Sequence, residues 1–163
     1  MYETDVAGKL NLVTILFPHN FSHQKPAMTR VAGESYTGGL IDHGGSTNDI
    51  VLESSGEEAH VYQDITFKGK AVIVRELSNR NTFYFIRHGT ELDHLGVGFT
   101  SDMPVSIYSK DNNGAIVSEG AKVRLNGLDM NTIKFEPAVE ILNSGDQFVE
   151  VQLPEGTIRF FPN

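Results

Sequence analysis

The chain has 163 residues, of which 13 are Lys or Arg and 21 are Asp or Glu, giving a formal net charge of −8. This length suffices for one domain with its own core. The acidic balance, with no Lys/Arg run able to track a phosphate backbone, excludes nucleic acid and anionic membrane surfaces as expected partners.

From the first residues, Met1-Tyr2-Glu3-Thr4-Asp5 does not open a signal peptide, and no later apolar run reaches membrane-spanning length. LNLVTILFPH (10–19) is a β-branched, apolar run stopped by Pro18. MTRVAGES, GGLIDHGG and NDIVLES follow as short strands with Gly-marked ends. HVYQDITFKGKAVIVRELS (60–78) reads as two strands joined at Lys68-Gly69. NTFYFIRHG and GVGFTSD come next, with Arg87 and His88 topping a turn at Gly89 and His94 in a turn-like stretch. In PVSIYSKDNNGAIVSEG, the Asn113-Gly114 pair between alternating runs predicts a hairpin, because this dipeptide tolerates positive φ. AKVRLNG, TIKFEP, AVEILNSG, QFVEVQLPEG and TIRFFPN complete the series.

Turn signals thus recur roughly every 8–12 residues, the rhythm of a sandwich or barrel. No apolar stripe of helical period persists for three turns. The expected fold is all-β, a two-sheet antiparallel β-sandwich, with residues 1–163 as a single domain. Cysteine is absent, which removes disulfides and thiolate metal sites.

One motif stands apart. Arg87-His88-Gly89-Thr90-Glu91, after an apolar run, resembles the signature of the histidine phosphatases, in which such a histidine accepts a phosphoryl group. That resemblance implies an α/β fold with the motif near its start, a second His-Gly pair and further arginines. Here the motif lies mid-chain without helical signals around it, and the other His-Gly pair, His43-Gly44, is upstream. The short match therefore reads as coincidence on a β fold.

A second resemblance covers roughly residues 10–125. Val13-Thr14-Ile15-Leu16-Phe17-Pro18, Ala71-Val72-Ile73-Val74-Arg75, Gly89-Thr90 with Leu92, and Pro104-Val105-Ser106 stand in the order seen in one family. The pattern is similar to the carboxy-terminal β-sandwich region of heparinase II/III-type polysaccharide lyases. The resemblance implies a parent protein that cleaves uronate-containing polysaccharides by β-elimination, with an amino-terminal α/α toroid that this chain lacks. It implies a catalytic Tyr and His drawn largely from the toroid, so the chain alone is expected to be inactive. It also implies an extracellular or periplasmic parent acting on acidic polysaccharide. No cofactor is expected for this chain, although some members of the family hold a structural divalent metal.

Three histidines are the candidate substrate-binding residues: His19, His23 and His43. His19 and His23 have a spacing suited to metal ligation on a helix, but they fall in a post-strand loop, with Asp42 and His43 the nearest further ligands in sequence. The plainer reading is that they are loop histidines. Glu91, Asp93 and His94 offer donors for a hard cation or merely a solvated acidic turn, and Ser46-Thr47-Asn48-Asp49 reads as a polar turn. Tyr36, Tyr62, Tyr84 and Tyr108 read as packing residues in strands. No Trp is present, which weighs against an independent carbohydrate-binding module. Two classes remain: the sandwich portion of a lyase, or a free-standing carbohydrate-binding or adaptor protein. A flat apolar face favours the first, because it marks a domain interface. A polar surface with an aromatic groove favours the second.

Overall fold

A computed structural model describes residues 26–77, 80–127 and 133–162. All its regular structure is β: β1 (Ala27–Ala32), β2 (Tyr36–Asp42), β3 (Thr47–Ser54), β4 (His60–Tyr62), β5 (Ile65–Leu77), β6 (Arg80–His94), β7 (Val97–Lys110), β8 (Asn113–Glu119), β9 (Lys122–Asn126), β10 (Ile133–Glu136), β11 (Glu140–Gly145), β12 (Phe148–Gln152) and β13 (Glu155–Pro162). The all-β antiparallel expectation holds. The expected strand at 10–19 lies outside the described residues, as do His19 and His23.

The thirteen strands share one hydrogen-bonded network. Its longest path runs β1-β2-β3-β5-β6-β7-β8-β13-β10, while β4, β9, β12 and β11 leave that path. The three long strands explain the branching. One end of β5 pairs with β3 and the other with β4. One end of β7 pairs with β8 and the other with β9. Each of the three therefore contributes to two halves of a sandwich-like fold, bending between them where the ladder is irregular. Register shifts fall at Lys68/Gly69 in β5 and between Ile86 and Glu91 in β6.

This geometry revises several boundaries. Lys68-Gly69 is a bulge in one continuous strand, and the reversal comes earlier, at Gln63 and Asp64, with Gln63 at φ 51. His88 lies in the β6 bulge rather than a turn, with φ 49 and its N–H donating to Ser106 Oγ at 3.0 Å. Gly69 and Gly89 oppose each other at this bend; a Cβ on Gly89 would lie 2.7 Å from Lys68 O and 2.5 Å from Ile86 Cδ1. A side chain there would hold the strands apart. The β7–β8 hairpin forms, but its turn is Asp111-Asn112, at φ 48 and 63, with Lys110 opposite Asn113. Gly114 is instead a strand residue, where a Cβ would meet Phe160 Cζ and Tyr108 O at 2.2 Å.

Strand alternation then sorts the side chains. In the first half, Leu52, Val72, Ile86, Ile107, Ile116 and Ile158 lie side by side across six strands, all fully buried. In the second half, His60, Phe67, Leu92, Phe99, Leu125 and Val149 form the matching row. Apart from His60, which is buried beside Phe67, both rows belong to one hydrophobic core. Tyr36 of the first half reaches across it, its ring centroid 5.6 Å from that of His60 and 6.2 Å from that of Phe67.

Candidate functional site

Of the three candidate histidines, His43 can be placed. It follows β2 in a turn whose backbone is held by His43 N–H donating to Thr47 O at 3.0 Å. Gly44, Gly45 and Ser46 all have positive φ, which the two glycines adopt without steric cost. Asp42 is committed locally, its Oδ1 accepting Gly44 N–H at 2.7 Å.

His43 is anchored to the sheet through Asp49. Its Nε2 lies 2.9 Å from Asp49 Oδ2, and since a carboxylate only accepts, Nε2 carries the donated proton. Arg75, directly opposite Asp49 on β5, donates Nε to Oδ1 at 2.6 Å and Nη2 to Oδ2 at 2.7 Å. This two-bond fork fixes the carboxylate plane and therefore the imidazole orientation. Burial acts to raise the Asp49 carboxyl, but the hydrogen bonds from Arg75 and His43, with their charges, hold it below the ordinary carboxylate range. The same pairing raises Arg75 further, against a smaller effect of burial. Asp49 thus lies within β3 as a buried ion-pair residue; the polar turn expected over Ser46–Asp49 is confined to its first residue.

Glu91, Asp93 and His94 do not converge. They end β6, where alternation puts Glu91 and Asp93 on opposite faces from one another's neighbours Leu92 and His94, and His94 is fully buried. The turn-like setting expected for His94 is therefore incorrect. Its Nε2 lies 2.8 Å from Glu76 Oε1, although the N–H is not aligned on that oxygen. Among the described residues no group of three His, Asp or Glu is arranged to hold a metal ion.

The reading of the tyrosines holds for Tyr84, which is buried against Ser109 with its hydroxyl raised by burial. Tyr36 and Tyr62 are half-buried in a cluster with His60 and Phe67, and Tyr36 OH donates to Val61 O at 3.2 Å. Burial, then Tyr36 and Glu76, raise the Tyr62 hydroxyl. Tyr108 departs from the pattern, at 44% exposure.

Tyr108 belongs to an outer row that sequence reading missed. Val51, Ile73, Phe85 and Tyr108 lie side by side across β3, β5, β6 and β7, on the face opposite the core row. The corresponding outer row of the second half is Lys68, Glu91, Thr100, Arg124 and Glu150. The central row of the first outer face is apolar, with Asp49 and Arg75 on one side of it and Glu53 and Arg87 on the other, whereas the row of the second half is largely charged. The Asp49–Arg75 pair lies two residues along from Val51 and Ile73, so His43 is held at the margin of the apolar row.

No family model matches the chain, and no curated protein matches it either.

Proposed function

We propose that this chain is the non-catalytic β-sandwich portion of a heparinase II/III-like polysaccharide lyase, packing beside an α/α toroid and shaping the substrate cleft. The parent acts by β-elimination on a uronate-containing polysaccharide outside the cytoplasm. In that reaction a base removes the proton next to the carboxylate, an acid protonates the leaving oxygen, and cationic or hydrogen-bonding groups neutralise the carboxylate. The toroid supplies the acid–base pair in this reading, and His43 contributes a substrate contact.

The observation that carries the reading is the apolar outer row Val51, Ile73, Phe85 and Tyr108. The solvent side of an antiparallel sheet ordinarily alternates to polar residues, as the Lys68–Glu150 row does. An apolar counterpart is suited to being covered by another domain. Supporting this, the stretches that carry the resemblance, Ala71–Arg75, Gly89–Leu92 and Pro104–Ser106, belong to the three adjacent long strands. Arg75, within them, anchors Asp49 and through it His43.

Hydroxyl-radical footprinting of Tyr108 tests the domain contact. Tyr108 should be oxidised readily in the 163-residue chain and be protected in the longer protein that includes the upstream helical region. Equal reactivity in the two would remove the apolar row as support.

A further inference from the structure

We propose that a cleft beside the β1–β2 turn binds an uncharged hexopyranose unit of a glycan. The site is separate from His43 and does not depend on the lyase reading. The cleft has a volume of about 700 Å³ and is lined by Arg30, Glu34, Thr37, Glu53 and Ser55, with Tyr36 in its wall. That volume lies within the range of small-molecule sites, roughly 300–1,000 Å³.

The wall is fixed in advance. Gly33 N–H donates to Tyr36 O at 2.9 Å, closing the turn. The Tyr36 ring lies against Gly33, where a Cβ would come within 2.3 Å of Cε1. Its hydroxyl is bonded to Val61 O, and its ring meets Phe67 edge-on. Tyr36 is therefore held in place as part of the cleft wall, and the polar groups around it carry the recognition.

Those groups suit a polyol. Arg30, Glu34 and Glu53 form no salt bridge among the described residues. A carboxylate accepts from two neighbouring hydroxyls, and a guanidinium donates in a fork to ring or hydroxyl oxygens. Thr37 and Ser55 add hydroxyls that donate or accept. One cation against two carboxylates leaves the cleft negative, which disfavours a uronate or a sulfated sugar. The two carboxylates also lack the further ligands that a metal site needs, since no group of three occurs among the described residues.

The test is an amide NMR titration of the 163-residue chain with cellobiose, with N,N′-diacetylchitobiose and with digalacturonate. At least one neutral disaccharide should give saturable shifts centred on residues 30–37 and 53–55, with a Kd on the order of 1 mM. Arg30→Ala and Glu53→Gln, each verified as folded by its amide spectrum, should weaken that binding by about tenfold or more. Digalacturonate should bind more weakly than the neutral sugar. The proposal is overturned by the absence of shifts with both neutral sugars, by shifts that survive both substitutions, or by tighter binding of digalacturonate.

Discussion

Glu76 and His94 stand at opposite ends of the β5–β6 ladder, yet their side chains meet, with Nε2 2.8 Å from Oε1. Glu76 is opposite Asn81, and His94 is opposite Ile65. Along a straight ladder, the eleven steps from Ile65 to Glu76 would span roughly 36 Å. The contact exists because both strands bend at Gly69 and Gly89 and bring the two halves face to face. It records the folding-over of the sheet in a single distance.

Glu76→Ala should therefore lower unfolding free energy by about 2–3 kcal/mol, because it removes the carboxylate that faces a fully buried imidazole. Glu91→Ala, on the exposed charged face, should stay within about 0.5 kcal/mol of the parent. Urea denaturation of the two variants measures the contrast. Equal effects would mean that the interior contact contributes nothing.

The bend itself makes a second prediction. Gly89→Ala places a methyl 2.7 Å from Lys68 O, a backbone atom with little freedom to retreat. A loss of about 1–3 kcal/mol is expected, the usual cost of overpacking, and Gly89→Val should cost more. Unchanged denaturation midpoints would show that the strands do not approach this closely.

Asp49 predicts a pH dependence. Its folded carboxyl titrates below the ordinary value of 3.8 because Arg75 and His43 outweigh its burial. A depressed pKa means the stabilisation is fully present above the unfolded value and is lost as pH falls through the folded one. Asp49→Asn should be about 1–2 kcal/mol less stable at pH 7, a modest loss because solvent screens the half-exposed Arg75. The gap should narrow below about pH 3.8. Urea midpoints at pH 7 and pH 3 decide it; a gap that widened on acidification would reverse the sign.

His88 gives a fourth. It lies in a strand bulge with its N–H on Ser106 Oγ, so the chain should not hydrolyse an aryl phosphate. Turnover abolished by His88→Ala in a folded protein would reinstate the phosphatase reading.

The positions of the strands along the chain were largely legible, because apolar alternation and turn residues are local signals. Glycine misled where its two uses look alike: Gly69 and Gly89 permit close strand approach at a bend, but in sequence they resemble reversals. The same ambiguity moved the β7–β8 turn, since Asp111-Asn112 supplies the positive φ that Asn113-Gly114 advertises. The Arg75–Asp49–His43 chain joins residues 26 and 6 positions apart and depends on strand register, which no short motif encodes. Likewise, the row Val51, Ile73, Phe85 and Tyr108 exists only once four strands are aligned.

The most direct test of the proposed function compares the 163-residue chain with the proposed longer protein, in which an upstream helical region precedes it. Both are incubated with heparin, heparan sulfate and alginate oligosaccharides, and the ultraviolet absorbance of the unsaturated uronate product is followed. Base, acid and carboxylate neutralisation act together, so one retained substrate contact does not make the reaction run. The account predicts no product from the chain alone and product from the longer protein on one of these substrates. Product from the chain alone would contradict its non-catalytic role; a folded longer protein inactive on every uronate polysaccharide tried would contradict the lyase assignment.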